Sequence, residues 1–350
     1  MLEIDGSYGE GGGQILRTAL ALSCLKHVPI RLINIRKNRR KPGLQPQHLK
    51  SVKAAAAISG AAVQGDVASS RELSFLPGII RPGNYVFDIG TAGSTTLLFQ
   101  AILPPLAFAG GRSIIKIIGG THNPLAPPLD YVKEVFLPML YKVGISVSAN
   151  IERYGFYPKG GGIVEFKIGG DPALGLPVLK NRGNLLSLSG VSAVANLPVS
   201  IAERQRASAQ LKLKGFTTEI EIREVPALGA GTFVFLLARY EDALCGFSSL
   251  GARGKRAETV GEEAATEFLA HHYCEDGSGS AALDPHLADQ MALYLAWGGH
   301  ILNSARNIAF TTSKITEHLL TNLWVISRFI KFEYRVIGEK GKPGMVEMNF

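Results

Sequence analysis

The sequence predicts an α+β protein: three repeated βαβαββ units forming one large domain, with a small α+β domain inserted. Three observations predict it. The order strand, Gly-rich loop, helix, strand over residues 4–36 recurs over 87–119, so that Arg36 falls on Gly119. The same offset carries Leu49 onto Val132, which lie in the helices expected over 46–59 and 129–143. A stretch from about Leu185 to Asp276 then departs from the pattern before a third copy begins.

The first unit opens with a strand near residue 4, followed by the loop Gly9-Glu-Gly-Gly-Gly13 and a helix over about 14–25. A strand over 30–35 and the loop Lys41-Pro-Gly-Leu44 lead to the helix 46–59, then to paired strands ending near Phe75. The second unit repeats this with the small-residue loop Gly90-Thr-Ala-Gly-Ser-Thr-Thr96, an apolar helix and a strand over 113–118. Its loop Ala126-Pro-Pro128 precedes the helix 129–143, and its paired strands end near Phe166. The inserted segment reads as a strand (186–197), a charged helix (201–214), two β-rich runs (217–223 and 232–239) and an acidic helix near 258–271. Its edges are Asn181-Arg-Gly-Asn184 and Asp276-Gly-Ser-Gly-Ser280. This gives a large domain of residues 1–184 with 277–350, and an inserted one of 185–276. The third unit has helices over 289–297 and 317–329, and strands over 308–310, 332–337 and 345–350. Period-2 alternation is plain in Phe332-Glu-Tyr-Arg-Val336. The sheets should be mixed or antiparallel, each with two helices on one face.

Composition narrows the function. Hydrophobic residues make up 46% of the chain, which excludes disorder throughout. No apolar run reaches the roughly 18 residues that a membrane span needs, and 101–111 is interrupted by Pro104 and Pro105. The start Met1-Leu-Glu-Ile-Asp-Gly6 has neither the basic nor the apolar region of a signal peptide, so a cytoplasmic protein is expected. Cys24, Cys245 and Cys274 form no CxxC pair, which argues against a zinc ribbon or a disulfide framework. The net charge of +8 favours an anionic partner.

Four segments could carry chemistry. In the loop Asp5–Gln14, glycines free backbone N–H groups to approach phosphate at a helix start, and Glu10 could hold Mg²⁺ beside a nucleotide. It is neither a Walker A loop nor a dinucleotide fingerprint; a tight turn with a solvated Glu10 fits the same residues. Arg36, Lys37, Arg39, Arg40 and Lys41 sit at a strand end beside that loop, where guanidinium forks suit phosphate; a solvated basic loop fits the same run. With a helix starting near Thr316, His318 lies in its first turn, where the dipole disfavours imidazolium and leaves a usable nucleophile at neutral pH; a structural histidine fits the same position. His286-Leu-Ala-Asp-Gln290 places polar groups at a loop-to-helix junction, and Asp289 could equally be an N-cap.

Taken together, these segments resemble the RNA 3′-terminal phosphate cyclase family. The resemblance rests on Gly9-Glu-Gly-Gly-Gly-Gln-Ile-Leu-Arg17, on Arg36…Arg39…Lys41-Pro-Gly-Leu…Gln47-His48-Leu49, on Gly119-Gly-Thr-His-Asn-Pro-Leu-Ala-Pro-Pro128, on Gly155-Phe-Tyr-Pro-Lys-Gly-Gly-Gly162 and on His318-Leu-Leu-Thr-Asn322. It runs from near residue 3 through the last helix and is weakest in the insert. It implies ATP-dependent conversion of an RNA 3′-phosphate to a 2′,3′-cyclic phosphodiester, with Mg²⁺ or Mn²⁺. His318 would become adenylylated and Glu10 would help hold the metal. Arg17, Gln100, Pro127 and the run His286, Leu287, Ala288, Asp289, Gln290 would bind ATP or AMP, with Pro127 against the adenine. Arg36, Arg39, Arg40, Gln47 and His48 would face the RNA end and its phosphates. Bacterial relatives often carry Tyr where this chain has His286. The expected partners are ATP and RNA 3′-phosphate ends, with no membrane; self-association is left open. Three other readings share features of the sequence: a non-catalytic ribosome-assembly relative, an enolpyruvyl-transferase-like enzyme and a plain RNA-binding module. The first lacks the active-site histidine that His318 matches, the second needs no covalent nucleotide, and the third predicts binding without ATP turnover.

Overall fold

A computed structural model describes residues 1–274, 280–303 and 307–350. The boundary expected at Asp276–Ser280 lies almost wholly outside the described residues. The protein is mixed α and β, with several small sheets, as an α+β class requires.

The first sheet has the order β1 (Leu2–Asp5), β2 (Ile30–Ile33), β4 (Leu73–Leu76), β3 (Ala62–Gln64). Only β1 and β2 run parallel, and α1 (Gly13–Lys26) joins them. The helix ends at His27, whose left-handed φ of 52° turns the chain back to the sheet. Between β2 and β3 lies α2 (Pro46–Ser59), begun by Pro46 and a reciprocal Gln45–His48 cap and stopped by Gly60 at φ 61°. The second sheet repeats the order and the strand senses: β5 (Asn84–Asp88), β6 (Ser113–Gly119), β8 (Gly162–Ile168), β7 (Val147–Arg153). Its parallel pair is joined by α3 (Thr95–Ala107), whose N-cap Ser94 accepts from Leu97 N at 3.2 Å. The helix expected over 129–143 is a continuous run of α4 (Leu129–Tyr131), a π-helical turn (Val132–Phe136) and α5 (Leu137–Lys142).

Next comes a sheet ordered β10 (Thr218–Glu224), β9 (Leu185–Ala195), β11 (Gly231–Tyr240), β12 (Leu244–Leu250). It is covered by α6 (Val199–Lys212) and α7 (Ala257–His272). Strand β12 is an addition to the sequence reading. It lacks the alternation that marks a strand, and its Gly246 lies against Tyr131 and Val135, where a Cβ would come within 2.8 Å of both side chains. The last sheet is antiparallel, β13 (Ile308–Thr312), β15 (Gly344–Asn349), β14 (Glu333–Gly338), with helices α8 (Pro285–Ile301) and α9 (Glu317–Phe329). The free edge of β13 takes single parallel bridges from Leu179 to Phe310 and from Leu283 to Thr312.

The main hydrophobic cluster is built around α1, which packs against α3 and α9 and is buried from Ile15 to Cys24. A separate cluster, with Leu188, Val234, Phe247 and Phe268, lies under α6 and α7. The helices around the main cluster therefore bring the starts of α1, α2 and α9 together at one end of the core.

Candidate active site

The loop between β1 and α1 is pinned at both ends. Asp5 accepts from Ser7 N at 2.9 Å, and Glu10 N donates to Thr321 Oγ1 at 3.2 Å. Gly9, at φ 51°, allows that approach: a Cβ there would lie 2.4 Å from Thr321 Oγ1. The loop is thus docked on α9, and Glu10 faces the first turn of that helix. His318 Nδ1 stands 2.7 Å from Glu10 Oε2. Arg39 grips the same residue, donating to Glu10 O at 2.9 Å and pairing with Oε1.

This geometry reverses one expectation. Position in the first turn of α9 should lower the proton affinity of His318. The close contact with the Glu10 carboxylate instead raises the His318 pKa, against the opposing effect of burial, with Asp289 adding negative potential. Burial pushes Glu10 upward, but His318, Arg39 and Arg17 together hold its carboxyl below the ordinary range. The two form a close ion pair, although Nδ1–H is not aligned on the carboxylate: Glu10 Oε2 is buried without a well-directed hydrogen-bond donor among the described residues.

Arg17 lies one turn inside α1 and is buried. Desolvation lowers its pKa to about 10, and Glu10 opposes that fall. Its Nη2 donates to Gln14 Oε1 at 3.1 Å, and its Nε is buried with no partner among the described residues. Beside it His48 is buried, accepts Gln45 N through Nδ1 at 3.2 Å, and is pushed by burial, Arg17 and Arg36 to a pKa of about 3. His48 is thus a neutral capping group behind Gly13 and not a surface side chain. Gly13 lets these groups close in: a Cβ would lie 2.6 Å from His48 Nε2 and 2.8 Å from Arg17 Nη1.

A cavity adjoins this cluster, lined by Arg17, Thr18, Gln100, Asp289, Gln290 and Tyr294 among others. Gln100 Nε2 donates to Gln290 Oε1 at 2.8 Å, which ties α3 to α8. Asp289 is almost fully buried, and desolvation raises its pKa to about 6 even though Thr316 donates to it. Thr316 is also the N-cap of α9, accepting Leu319 N at 2.9 Å. Asn322 donates to Asp289 O at 2.9 Å and accepts from Thr18 at 2.8 Å. Asp289 is therefore inside α8 and not its N-cap; Asp284 caps that helix, accepting His286 N and Leu287 N.

The other expected residues sit as follows. His286 is exposed, edge-on to the Tyr131 ring. Leu287 and Ala288 point into the main cluster, so their side chains do not line the cavity. Pro127 is half-buried and accepts Thr96 Oγ1 at 2.8 Å through its carbonyl. Gln47 lies against Gly93 of the second unit's loop. Arg36 braces its own loop, donating to Lys41 O at 2.6 Å, and Arg40 is exposed at the rim. The sequence reading missed the roles of Thr18, Thr316 and Thr321, because each acts on a residue far away in the chain.

Among the described residues no group of three or more His, Cys, Asp or Glu side chains could hold a metal ion. Glu10 offers one carboxylate beside the Arg17 and Arg39 guanidinium groups. That fits Mg²⁺ of the kind that shares its coordination between one carboxylate, substrate phosphates and water.

An imidazole paired with a carboxylate, ringed by guanidinium groups and helix starts, is the equipment of a protein that handles phosphorylated substrates. The chain belongs to the RNA 3′-terminal phosphate cyclase family, whose model matches residues 8–336. The RNA 3′-terminal phosphate cyclase of Methylococcus capsulatus is 45% identical over 94% of this chain and 91% of its own length. That of Pyrococcus abyssi is 42% identical over 99% of this chain and 98% of its own. Among solved structures, the enolpyruvyl transferase NikO from Streptomyces tendae aligns with 49% of this chain and 33% of its own, at 16% identity and a TM-score of 0.29. No helix among the described residues is long and apolar enough to cross a membrane.

Proposed function

We propose that this chain is an ATP-dependent RNA 3′-terminal phosphate cyclase of the cytoplasm that works through adenylylated His318. The observation that carries the reading is the His318 Nδ1–Glu10 Oε2 pair at 2.7 Å, within a chain of that family. Nε2 of His318 attacks the α-phosphorus of ATP; an N–P bond forms, the bond to the β-phosphate oxygen breaks, and pyrophosphate leaves. The adduct carries positive charge on the ring, which the Glu10 carboxylate beside Nδ1 stabilises. An oxygen of the RNA 3′-phosphate next attacks the same phosphorus and the N–P bond breaks, returning neutral imidazole. The 3′-phosphate is now joined to AMP, a good leaving group. The neighbouring 2′-hydroxyl oxygen bonds to the RNA phosphorus, its proton passes to solvent, and AMP departs. Ring closure within one nucleotide benefits from high effective concentration.

Arg17, Arg36 and Arg39 would counter the phosphate charge, Arg39 by leaving Glu10 for the substrate. Arg40, Gln47 and His48 stand on the RNA side of the same cleft, His48 as the support behind Gly13. Gln100, Pro127, His286, Asp289 and Gln290 would surround the nucleotide, with Leu287 and Ala288 shaping the first turn of α8 from the core. Mg²⁺ or Mn²⁺ held by Glu10 would neutralise developing charge on the phosphates.

Two details of the fold belong to the same proposal. The shared strand order of the first two sheets supports a duplication. In the third unit, the place of a first strand is taken by Leu179 and Leu283, one from each side of the segment between them. The separate cluster under α6 and α7 supports an inserted domain of residues 185–276 within 1–184 and 277–350.

The test is intact-protein mass spectrometry after incubation with ATP and Mg²⁺, followed by addition of a 3′-phosphorylated oligoribonucleotide. Wild type should gain one AMP and pass it on, yielding a 2′,3′-cyclic end; His318→Ala should do neither. An adduct on both proteins would show that another residue is the nucleophile.

A further inference from the structure

The segment 155–162, Gly-Phe-Tyr-Pro-Lys-Gly-Gly-Gly, takes no part in the chemistry above, yet it stands beside it. It connects β7 to β8, and Gly162 pairs with Gly119 at the carboxyl end of β6. That end also carries the loop from Gly90 to Ser94, which follows β5. In open sheets of this kind, ligands gather beyond the carboxyl ends of the parallel strands.

The contacts run without a break from the candidate active site. A Cβ on Gly93 would lie 3.2 Å from Gln47 Cβ. A Cβ on Gly160 would lie 2.7 Å from the Cα of Ala92, the neighbouring residue. Gly160 and Gly161 have φ of 63° and 70°; the first lies against Thr91 and Ala92 of the loop before α3, and the second lies under the side chain of Leu228. Arg153 Nε donates to Gly161 O at 2.7 Å and holds the turn from beneath. What results is a firmly seated surface that begins at Gln47 and ends at Tyr157.

Its exposed face is unusual for a monomer. Tyr157 is 68% exposed, and Leu125 projects fully from the adjoining loop, which is bridged to this segment through His122 and Phe156. Leu228 is half exposed and its side chain lies over Gly161. Lys159 is exposed among them, its stem lying along Gly229. Adjacent exposed apolar side chains mark a contact surface. An aromatic ring next to a lysine on a glycine-shaped turn suits one ligand best: a single-stranded nucleic acid, whose bases stack and whose phosphates take the charge.

We propose that this surface holds the RNA strand upstream of its 3′-phosphate, with a base stacked on Tyr157 and a backbone phosphate at Lys159. The proposal rests on the cyclase reading for the polarity of the strand: the 3′ end at His318, the preceding nucleotides along Gln47, Gly93 and Gly160 towards Tyr157.

The test is fluorescence anisotropy with two labelled 3′-phosphorylated oligoribonucleotides, a dinucleotide and a decamer. Tyr157→Ala should weaken decamer binding about tenfold, the contribution of one stacked base, and narrow the gap in affinity between decamer and dinucleotide. Tyr157→Phe should keep it. Lys159→Ala should make the salt dependence of decamer binding shallower by about 0.7 in log–log slope. Circular dichroism and labelling by ATP check that each variant is folded. An unchanged decamer affinity in Tyr157→Ala, or equal losses on both oligonucleotides, overturns the proposal. If wild type binds with this length dependence but forms no cyclic end, the cyclase reading fails and the RNA surface stands.

Discussion

Asp289→Asn should make the protein more stable at neutral pH while impairing the proposed nucleotide site. Asp289 is buried in α8 with Thr316 donating to it, and desolvation lifts its pKa from an ordinary 3.8 to about 6. Each tenfold change in proton affinity corresponds to about 1.4 kcal/mol. The rise therefore represents on the order of 3 kcal/mol held against folding once the group is ionised. The sign follows from linkage. Folding raises the proton affinity of this carboxyl, so its favourable contribution is complete below about pH 4 and is lost as pH climbs through about 6. Asparagine keeps an oxygen for Thr316 and carries no charge. The measurement is urea unfolding of both proteins at intervals from pH 4 to pH 8, read as a difference curve in which groups common to both cancel. The difference should be flat near pH 4, grow in favour of the variant between pH 4 and pH 7, and level off near 3 kcal/mol. Formation of the AMP adduct should fall in the same variant. A difference curve that is flat throughout, or a variant less stable than wild type at pH 8, would refute the reasoning and place the Asp289 charge in balance with its surroundings.

Glu10→Gln keeps an acceptor for His318 but removes the charge. A polar contact with a charged group is worth about 1.5–3 kcal/mol and one with a neutral group about 1, so the AMP adduct should form about tenfold more slowly in a labelled-ATP assay. Gly13→Ala forces a Cβ against His48 Nε2 and Arg17 Nη1; a destabilisation of about 1–3 kcal/mol in urea and weaker ATP binding by calorimetry are expected. Asp284→Ala removes the cap of α8 and strips partners from the buried Tyr131 hydroxyl and Gly246 N. Its cost should be about 2–4 kcal/mol, seen as a lower urea midpoint.

The elements were legible where the signal is local. Pro46 and Gly60 bracket α2 at the residues expected, and Thr316 begins α9 where the sequence places it. The shared order of the first two sheets follows the repeated spacing of loops and helices. Strand β12 was hidden because Leu244-Cys-Gly-Phe-Ser-Ser-Leu250 is buried by tertiary contact and has no alternation to read. The π-helical turn at Val132–Phe136 likewise leaves no sequence mark. Within the candidate site, the types of residue were readable and their pairings were not. Thr18 meets Asn322, and Glu10 meets both His318 and Thr321, across more than 300 residues of chain. That distance explains the reversed sign at His318. The helix dipole is a local property, whereas the carboxylate that outweighs it arrives from the other end of the sequence.

The two lone bridges on the edge of β13 have a bearing on how the chain can be cut and rejoined. Leu179 and Leu283 meet Phe310 and Thr312, partners two residues apart on one strand, and Arg182 N donates to Ser280 O at 3.3 Å. The chain leaves the sheet and comes back about 7 Å away. The chain between those points joins the rest covalently only at this doorway, although Val191, Phe233 and Phe235 within it pack into the main cluster. Because closure entropy grows only with the logarithm of length, by about 0.6 kcal/mol per doubling, the doorway is nearly indifferent to the size of what hangs there. A short linker from Arg182 to Ser280 would close the chain, but it would bare the main cluster where Val191, Phe233 and Phe235 now cover it; length can be added at this doorway far more cheaply than the packed sheet can be removed.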